Sequence, residues 1–393
     1  MRLLFVADGR SPTALSWLAG VIQRGHEVHL VSTFACQPGL PLASLHFLPV
    51  AFSNLKDRAS PGPRAREVRK GSLAGASLVR SRMLLRQWLG PLTLPRAGTE
   101  LRKLVDTLQP DLVHAMRIPY EGMAAAQALE GCGPPLLVSA WGNDFTLHAP
   151  SNPWMRHATQ RTLQVASAFL ADCRRDVRLA CAWGFDPRKP AIVLPGGGGI
   201  QMDLFHLSET NSLDKQPVKV INPRGVRAYI CNRAFFRSIP KVLELFPEVR
   251  FVCPSMAGEN QVEGWVKMLG IQPNVELYPA VTRAEMADLF QHSQVVVSPS
   301  IHDGTPNSLL EAMACGCFPV AGDLESIREW ITPGVNGWLV DPRDESSLAE
   351  GMIRALENGI LRARAASINR QKILSRAEFQ AVMEELDRFY KSI

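Results

Sequence analysis

The stretch VVVSPSIHDGTPNSLLEAMACGCFPVAG, Val295 to Gly322, decides how the rest of the chain is read. An apolar run of strand length meets a polar Gly/Pro turn, which opens at once into helix-forming residues and then a second apolar run. The period predicts a buried strand, a turn at its carboxyl end, a helix capped by Asn307 or Ser308, and another strand. The amino end of a helix offers unpaired N–H groups and partial positive charge, which suits a phosphate. Gly304 lets backbone approach a ligand closely, and Pro306 stiffens the turn. Asp303 and Glu311 bracket the same ground. Carboxylates are poor partners for phosphate but good acceptors for sugar hydroxyls, so the set reads as a phosphate held between two sugars.

Outward from this unit the same alternation continues. VKVINP, VRFVCP, NVELYPA, VVVSPS, CFPVAG and NGWLV are strand-like, and helical segments separate them, including LESIREWI and DESSLAEGMIRALEN. The first half alternates likewise through RLLFVA, HEVHLVS, DLVHAM, PLLVSAW, AFLADC and AIVLP. Such alternation predicts βαβ units and mostly parallel sheets. PGGGGIQMDLFHLSETNSLDKQP, Pro195 to Pro217, breaks the pattern with four glycines and a polar run, and reads as an interdomain connection. A last amphipathic helix is expected over Ala377 to Tyr390. Two doubly wound units in one chain leave a cleft near the strands' carboxyl ends, where such sheets bind ligands.

With 393 residues, 46% hydrophobic and 20% charged, the chain is long enough for two domains and too apolar for a disordered one. No apolar run approaches the ~18 residues that span a bilayer. MRLLFVADGRSP reaches Asp8 too soon for a secretory signal and reads as a first buried strand. The eight cysteines lack paired CxxC spacing, which points to reduced thiols in the cytoplasm rather than to a metal. The net charge of +6 is uneven. Twelve Lys/Arg between Lys56 and Lys103, against Asp57, Glu67 and Glu100, give that stretch +9 and leave the remainder at −3. Its interleaved LVRSRMLLRQWLG suits peripheral contact with an anionic membrane surface or an anionic acceptor; a solvated face is the ordinary alternative. Nucleic acid is not expected, since the stretch has no aromatic stacking platform.

At this point the residues resemble a known family. HDGTPNSLLEAMACG is similar to the E-x7-E region of retaining glycosyltransferase family 4, whose fold is GT-B: two Rossmann-like doubly wound domains facing a central cleft. ESIREWITPGVNGWLVDPRDESSLAEGM, RGHEVHLVS, DLVHA and PGGGGIQMDLFH resemble further landmarks of that family. The resemblance implies an acceptor-binding domain over 1–205, with a helix at about 376–393 packing back on it, and a donor-binding domain over 206–375. It implies a nucleotide diphosphate-sugar whose sugar hydroxyls meet Asp303 and the backbone of Gly304, Thr305, Pro306, Asn307 and Ser308, with Leu309 beyond. Glu311 would take the ribose hydroxyls and Arg224, in VINPRG, the pyrophosphate. A Lys usual in the family a few residues later is missing from VRAYICNRAF; Arg227 or Arg233 would replace it, with Arg227 preferred.

Two further departures stand out. Position 303 is Asp where Glu is common, and SAWGNDF offers Trp141, Asn143 and Asp144 where many relatives carry His; Asn143 and Asp144 are the acceptor-side candidates. The implied reaction is retaining hexosyl transfer to a hydroxyl of a glycan, a lipid-linked glycoside or a small-molecule glycoside, with no cofactor and no metal. Two other classes remain open. One is a sugar-nucleotide binder without turnover. The other is a Rossmann oxidoreductase, against which ADGRSPTALS lacks the dinucleotide pattern G-x-G-x-x-G.

Overall fold

The computed structural model describes residues 1–51, 53, 88–207 and 217–393. Most of the basic run, including Arg80, Arg82 and Arg86, lies outside the described residues, as does the polar part of the expected interdomain connection. The chain divides into one unit of Met1–Gly199 with Gln380–Ile393 and a second of Ile200–Phe379. The division falls between 199 and 200 rather than between 205 and 206, because Ile200 and Phe205 are fully buried in the core of the second unit.

The first unit is built on seven parallel strands: β1 (Arg2–Ala7), β2 (Glu27–Ser32), β3 (Ser44–Phe47), β4 (Leu112–Ala115), β5 (Leu136–Ala140), β6 (Ala168–Ala171) and β7 (Ala191–Val193). Their order is β3-β2-β1-β4-β5-β6-β7. The central strands are apolar without alternation because both faces are covered; Leu3, Leu4, Phe5 and Val6 are all fully buried. The helix Pro12–Gln23 begins where Ser11 Oγ accepts from Ala14 N–H, and it buries Trp17 and Leu18. The helix Phe379–Ser392 brings the end of the chain into this unit. There the Tyr390 hydroxyl lies 2.8 Å from His114 Nδ1 and accepts from Trp17 Nε1 at 3.2 Å.

Six parallel strands form the second unit: β8 (Lys219–Ile221), β9 (Arg250–Cys253), β10 (Val275–Leu277), β11 (Val295–Ser298), β12 (Phe318–Gly322) and β13 (Trp338–Val340), in the order β10-β9-β8-β11-β12-β13. The strands expected from VKVINP through NGWLV are all present. The chain leaves β8 towards β9 on one side and returns to β11 on the other, so β8 and β11 flank the point where strand order reverses. Loops at that point part in opposite directions and leave room for a ligand. The loop after β8 carries Arg224 and the loop after β11 carries Asp303.

The glycines at 196–199 end the first unit, where the interdomain connection is expected; all four are buried, and Gly197 O accepts from Ser16 Oγ at 2.8 Å. Their run of positive φ at 197, 198 and 199 (69°, 82° and 94°) is a path that side-chain-bearing residues rarely follow. The segment LESIREWI supplies only the short helix Glu325–Arg328. An eighteen-residue helix, Gly359–Arg376, occupies a stretch where the apolar pattern gives no element.

Candidate functional site

β11 is buried along its whole length, and the helix Asn307–Ala314 follows from the turn after it. That helix is not capped by Asn307 or Ser308. Pro306 occupies the cap position with extended backbone and no capping side chain, so the two polar side chains are released for other work. Ser308 Oγ accepts from Arg224 Nη1 at 3.0 Å, while Asn307 Oδ1 is buried with no hydrogen-bond partner. Arg224 Nη2 reaches Asp303 Oδ2 at 2.5 Å. Both side chains of this ion pair are largely shielded, 7% and 14% exposed, so the interaction is only weakly screened by solvent. Arg224 Nε and Ser300 Oγ are likewise buried and unpartnered. Buried polar atoms without protein partners on these two loops and the helix start suit a polar ligand.

The Arg224 loop is fixed from behind by two residues that carry no charge. Arg224 N–H donates to Asn222 Oδ1 at 3.2 Å, Asn222 Nδ2 donates to Asn232 Oδ1 at 3.2 Å, and Asn232 Nδ2 donates to Gly225 O at 2.9 Å. The β11 turn is held as closely. Ser326 Oγ donates to Asp303 O at 2.8 Å, and Trp330 Nε1 donates to Thr305 Oγ1 at 3.2 Å. A Cβ on Gly322 would stand 2.3 Å from Ser300 O, so β12 can lie against this turn only as glycine.

Glu311 sits one helical turn beyond Ser308 and so on the same face of the helix. Its side chain is 13% exposed, and Arg283 Nη2 donates to Oε1 at 3.1 Å. Burial raises the Glu311 carboxyl above the usual carboxylate range, and the Arg283 charge works against that rise. Arg283 and the two asparagines are site residues that the motif does not reveal. A polar pair buried just past a strand end, Asn222 with Asn232, is the one signal that was available.

The remaining candidates fare differently. Arg227 and Arg233 are exposed, and Arg227 Nη1 donates to Tyr229 Oη at 3.0 Å. Leu309 is fully buried and its N–H is taken by Pro306 O, while Gly304, Thr305 and Pro306 are buried in the turn. In the first unit Asp144 is not open to a ligand. Its Oδ1 accepts from Arg117 Nη2 at 2.6 Å, and its Oδ2 accepts from Ile118 N–H and Trp141 N–H at 3.3 Å. The group this loop leaves partly exposed is Arg117, which also reaches Asn143 Oδ1 at 3.4 Å. Trp141 packs edge-on against Trp17. His114 is fully buried between Tyr390 and Ser139, and burial lowers its pKa to about 3, which keeps it a neutral core residue.

Cys315 and Cys317 lie in the apolar core, and Cys317 Sγ donates to the carbonyls of Phe290 and Ser293. Asp172, Cys173 and Asp176 form a closer acidic group, but Arg175 Nε donates to Asp176 at 2.8 Å, and burial and Asp172 push the thiol far from ionisation. That is unfavourable ground for a cation. Among the described residues, no helix is long and apolar enough to cross a membrane.

Two family models match the chain. One described as a glycosyl transferase 4-like domain covers residues 8–196, and one described as glycosyl transferases group 1 covers 235–372. A phosphatidyl-myo-inositol mannosyltransferase of Mycobacterium tuberculosis is 29% identical over 161 residues, 40% of this chain and 42% of the relative. The chain thus matches under half of that protein's length. A putative glycosyltransferase, EpsD, of Bacillus subtilis is 23% identical over 73% of this chain and 78% of the relative. Among solved structures, Anabaena HepE in complex with UDP superposes with a TM-score of 0.74 at 15% identity, each chain covered in full. Sucrose-phosphate synthase from Thermosynechococcus elongatus gives 0.71 at 13% identity, covering 100% of this chain and 99% of its own. The fold is therefore GT-B, with both Rossmann-like domains related to those of glycosyltransferases.

Proposed function

We propose that this GT-B protein is a retaining glycosyltransferase, moving a hexosyl group from a nucleotide diphosphate-sugar to a hydroxyl acceptor. The observation that carries the reading is the position of Arg224. Its guanidinium joins the amino end of the helix Asn307–Ala314, through Ser308, to Asp303 on the strand-end turn. A diphosphate laid there meets the free N–H groups of the helix and a buried cation at once.

As the anomeric C–O bond loosens, negative charge grows on the departing diphosphate. Arg224 and the helix dipole stabilise it without reorganising, because the Asn222–Asn232 pair and Asp303 already hold the guanidinium loop in place. Asp303 is the proposed partner of a sugar hydroxyl, and Glu311 takes the ribose. The acceptor hydroxyl enters on the face the diphosphate leaves and gives its proton to the departing phosphate oxygen. The route calls on no metal and no cofactor. Arg227, exposed on the loop beyond Arg224, is the proposed second cation in place of a lysine. Binding without turnover is the second reading, favoured by the turn of Arg227 towards Tyr229 rather than towards Asp303.

On the acceptor side the reading retains the Asn143–Asp144 loop, with Asp144 fixing the loop and Arg117 as the group presented. The acceptor is a glycan, a lipid-linked glycoside or a small-molecule glycoside. The basic run at 56–103 is proposed to bring the protein to the cytoplasmic face of an anionic membrane. A screen reading UDP, GDP and ADP release against several sugars, followed by assignment of the product anomer, tests the reading. Nucleotide release with inverted product would overturn the retaining mechanism; affinity without release, with acceptors supplied, would leave only the binder.

A further inference from the structure

Glu311 is held in an unusual way for a group meant to meet a ligand. One oxygen, Oε1, accepts from Arg283 Nη2 at 3.1 Å; the other accepts no hydrogen bond among the described residues. Arg283 is itself braced. Its Nη1 donates to Gln201 Oε1 at 3.3 Å, and its guanidinium lies 5.3 Å from the centre of the buried Phe205 ring. It also stands at the first position of the helix Arg283–Gln291, whose start is locked by the reciprocal Thr282 and Glu285 hydrogen bonds. A long cation on a fixed stem, with three separate contacts, is a clamp rather than a wandering surface charge.

We propose that Arg283 is the positioning residue for Glu311, pinning one carboxylate oxygen so that the other is presented to the vicinal hydroxyls of a nucleotide ribose. This rests on the donor-site reading above and adds to it the residue that makes Glu311 usable. A carboxylate shielded as Glu311 is would favour its neutral form, and a neutral carboxyl offers one fewer strong acceptor. Arg283 is the charge that opposes this. The other groups facing Glu311 do not replace it. Gln201 is neutral. Cys315, just past the end of the same helix, has its thiol pushed up to about 12 by burial and by Glu311, and stays protonated. Arg370, on the packed helix Gly359–Arg376, acts on Cys315.

The test uses the full chain with Arg283→Ala, Arg283→Gln and Arg283→Lys. Binding of UDP, GDP and ADP is measured by calorimetry between about pH 5 and pH 8, beside the 2′-deoxy form of the nucleotide that binds best. Loss of one charge-assisted hydrogen bond partner predicts about tenfold weaker ribonucleotide binding in the Ala and Gln forms. The weakening grows as pH falls, Arg283→Lys recovers part of it, and the deoxy form is far less sensitive. A carboxyl-resolved NMR titration adds a readout that needs no nucleotide, with the Glu311 midpoint moving upward in Arg283→Gln. Unchanged or tighter ribonucleotide binding in Arg283→Ala would overturn the proposal. If no nucleotide binds the wild type, the donor-site reading fails by itself, and the titration decides the clamp: an unmoved Glu311 midpoint overturns it and an upward one upholds it.

Discussion

Arg224 and Asp303 form the shortest link between the two strand-end loops of the second unit, Nη2 to Oδ2 at 2.5 Å, across a separation of 79 residues. The pair ties the loop after β8 to the loop after β11 at the point where strand order reverses. Arg224→Ala removes the buried guanidinium that pairs with a shielded carboxylate, which costs about 3 kcal/mol. Thermal denaturation should show that loss. Nucleotide release should slow about a hundredfold, with a smaller change in donor affinity, if the guanidinium stabilises the leaving diphosphate. A change in affinity alone would remove Arg224 from the chemical step.

Arg227→Ala should reduce turnover less than Arg224→Ala does. Arg227 is exposed on its loop, and solvent and salt weaken what such a charge contributes. Initial rates of the two variants at low and high salt make the comparison; a larger loss at Arg227 would mean that its guanidinium swings onto the diphosphate.

Glu311→Gln should separate stability from binding. The Glu311 carboxyl lies above its ordinary range because burial disfavours the charge, so folding is most favourable with the group protonated, and that contribution is lost as pH rises through the raised value. Gln cannot ionise. At neutral pH the variant should melt no lower than wild type, should lack this pH-dependent decline, and should bind the donor less tightly. Melting curves at several pH values, with donor titrations beside them, provide the check.

His114→Gln should flatten the acid limb of the stability curve. The imidazole is held neutral by burial, with its pKa moved from 6.5 to about 3. Stability tied to this residue is complete above the unfolded value and is lost as pH falls towards the folded one, at about 1.4 kcal/mol per pH unit once the unfolded form is protonated. Denaturant midpoints across that window should fall more steeply for wild type than for the variant.

Gly322→Ala should cost about 1–3 kcal/mol, because the new methyl would meet the Ser300 carbonyl at 2.3 Å and neither backbone can yield cheaply. The damage should extend to donor binding, since Ser300 begins the turn that carries Asp303. A variant with wild-type melting and affinity would show that β12 can slide.

What could be read along the sequence was local. The β11 run, its Gly/Pro turn and the helix behind it announce themselves through period and turn chemistry within some thirty residues, and so do the strands on either side. What escaped was whatever depends on contact between distant positions. Arg283 looks like an ordinary first residue of a helix until Glu311 is found beside it. The helix Gly359–Arg376 escapes the apolar pattern because it turns polar groups inward. Arg362 Nη1 there donates to Ala355 O and Leu356 O, and Asn369 exchanges hydrogen bonds with Asn336. Asp144 had the composition of a solvated turn, yet the chain folds it away beneath Arg117. In each case a partner far along the chain overrode the local pattern.

Tyr390 gives the first unit a particular order of assembly. During synthesis, residues 1–199 emerge first, yet His114 Nδ1 and Trp17 Nε1 meet the phenol only after the whole second unit has left the ribosome. Until then those two nitrogens lack their mate. The first unit thus completes this cluster only once residues 200–379 have been made, and a nascent chain stalled before residue 380 should be vulnerable to proteases within residues 1–199.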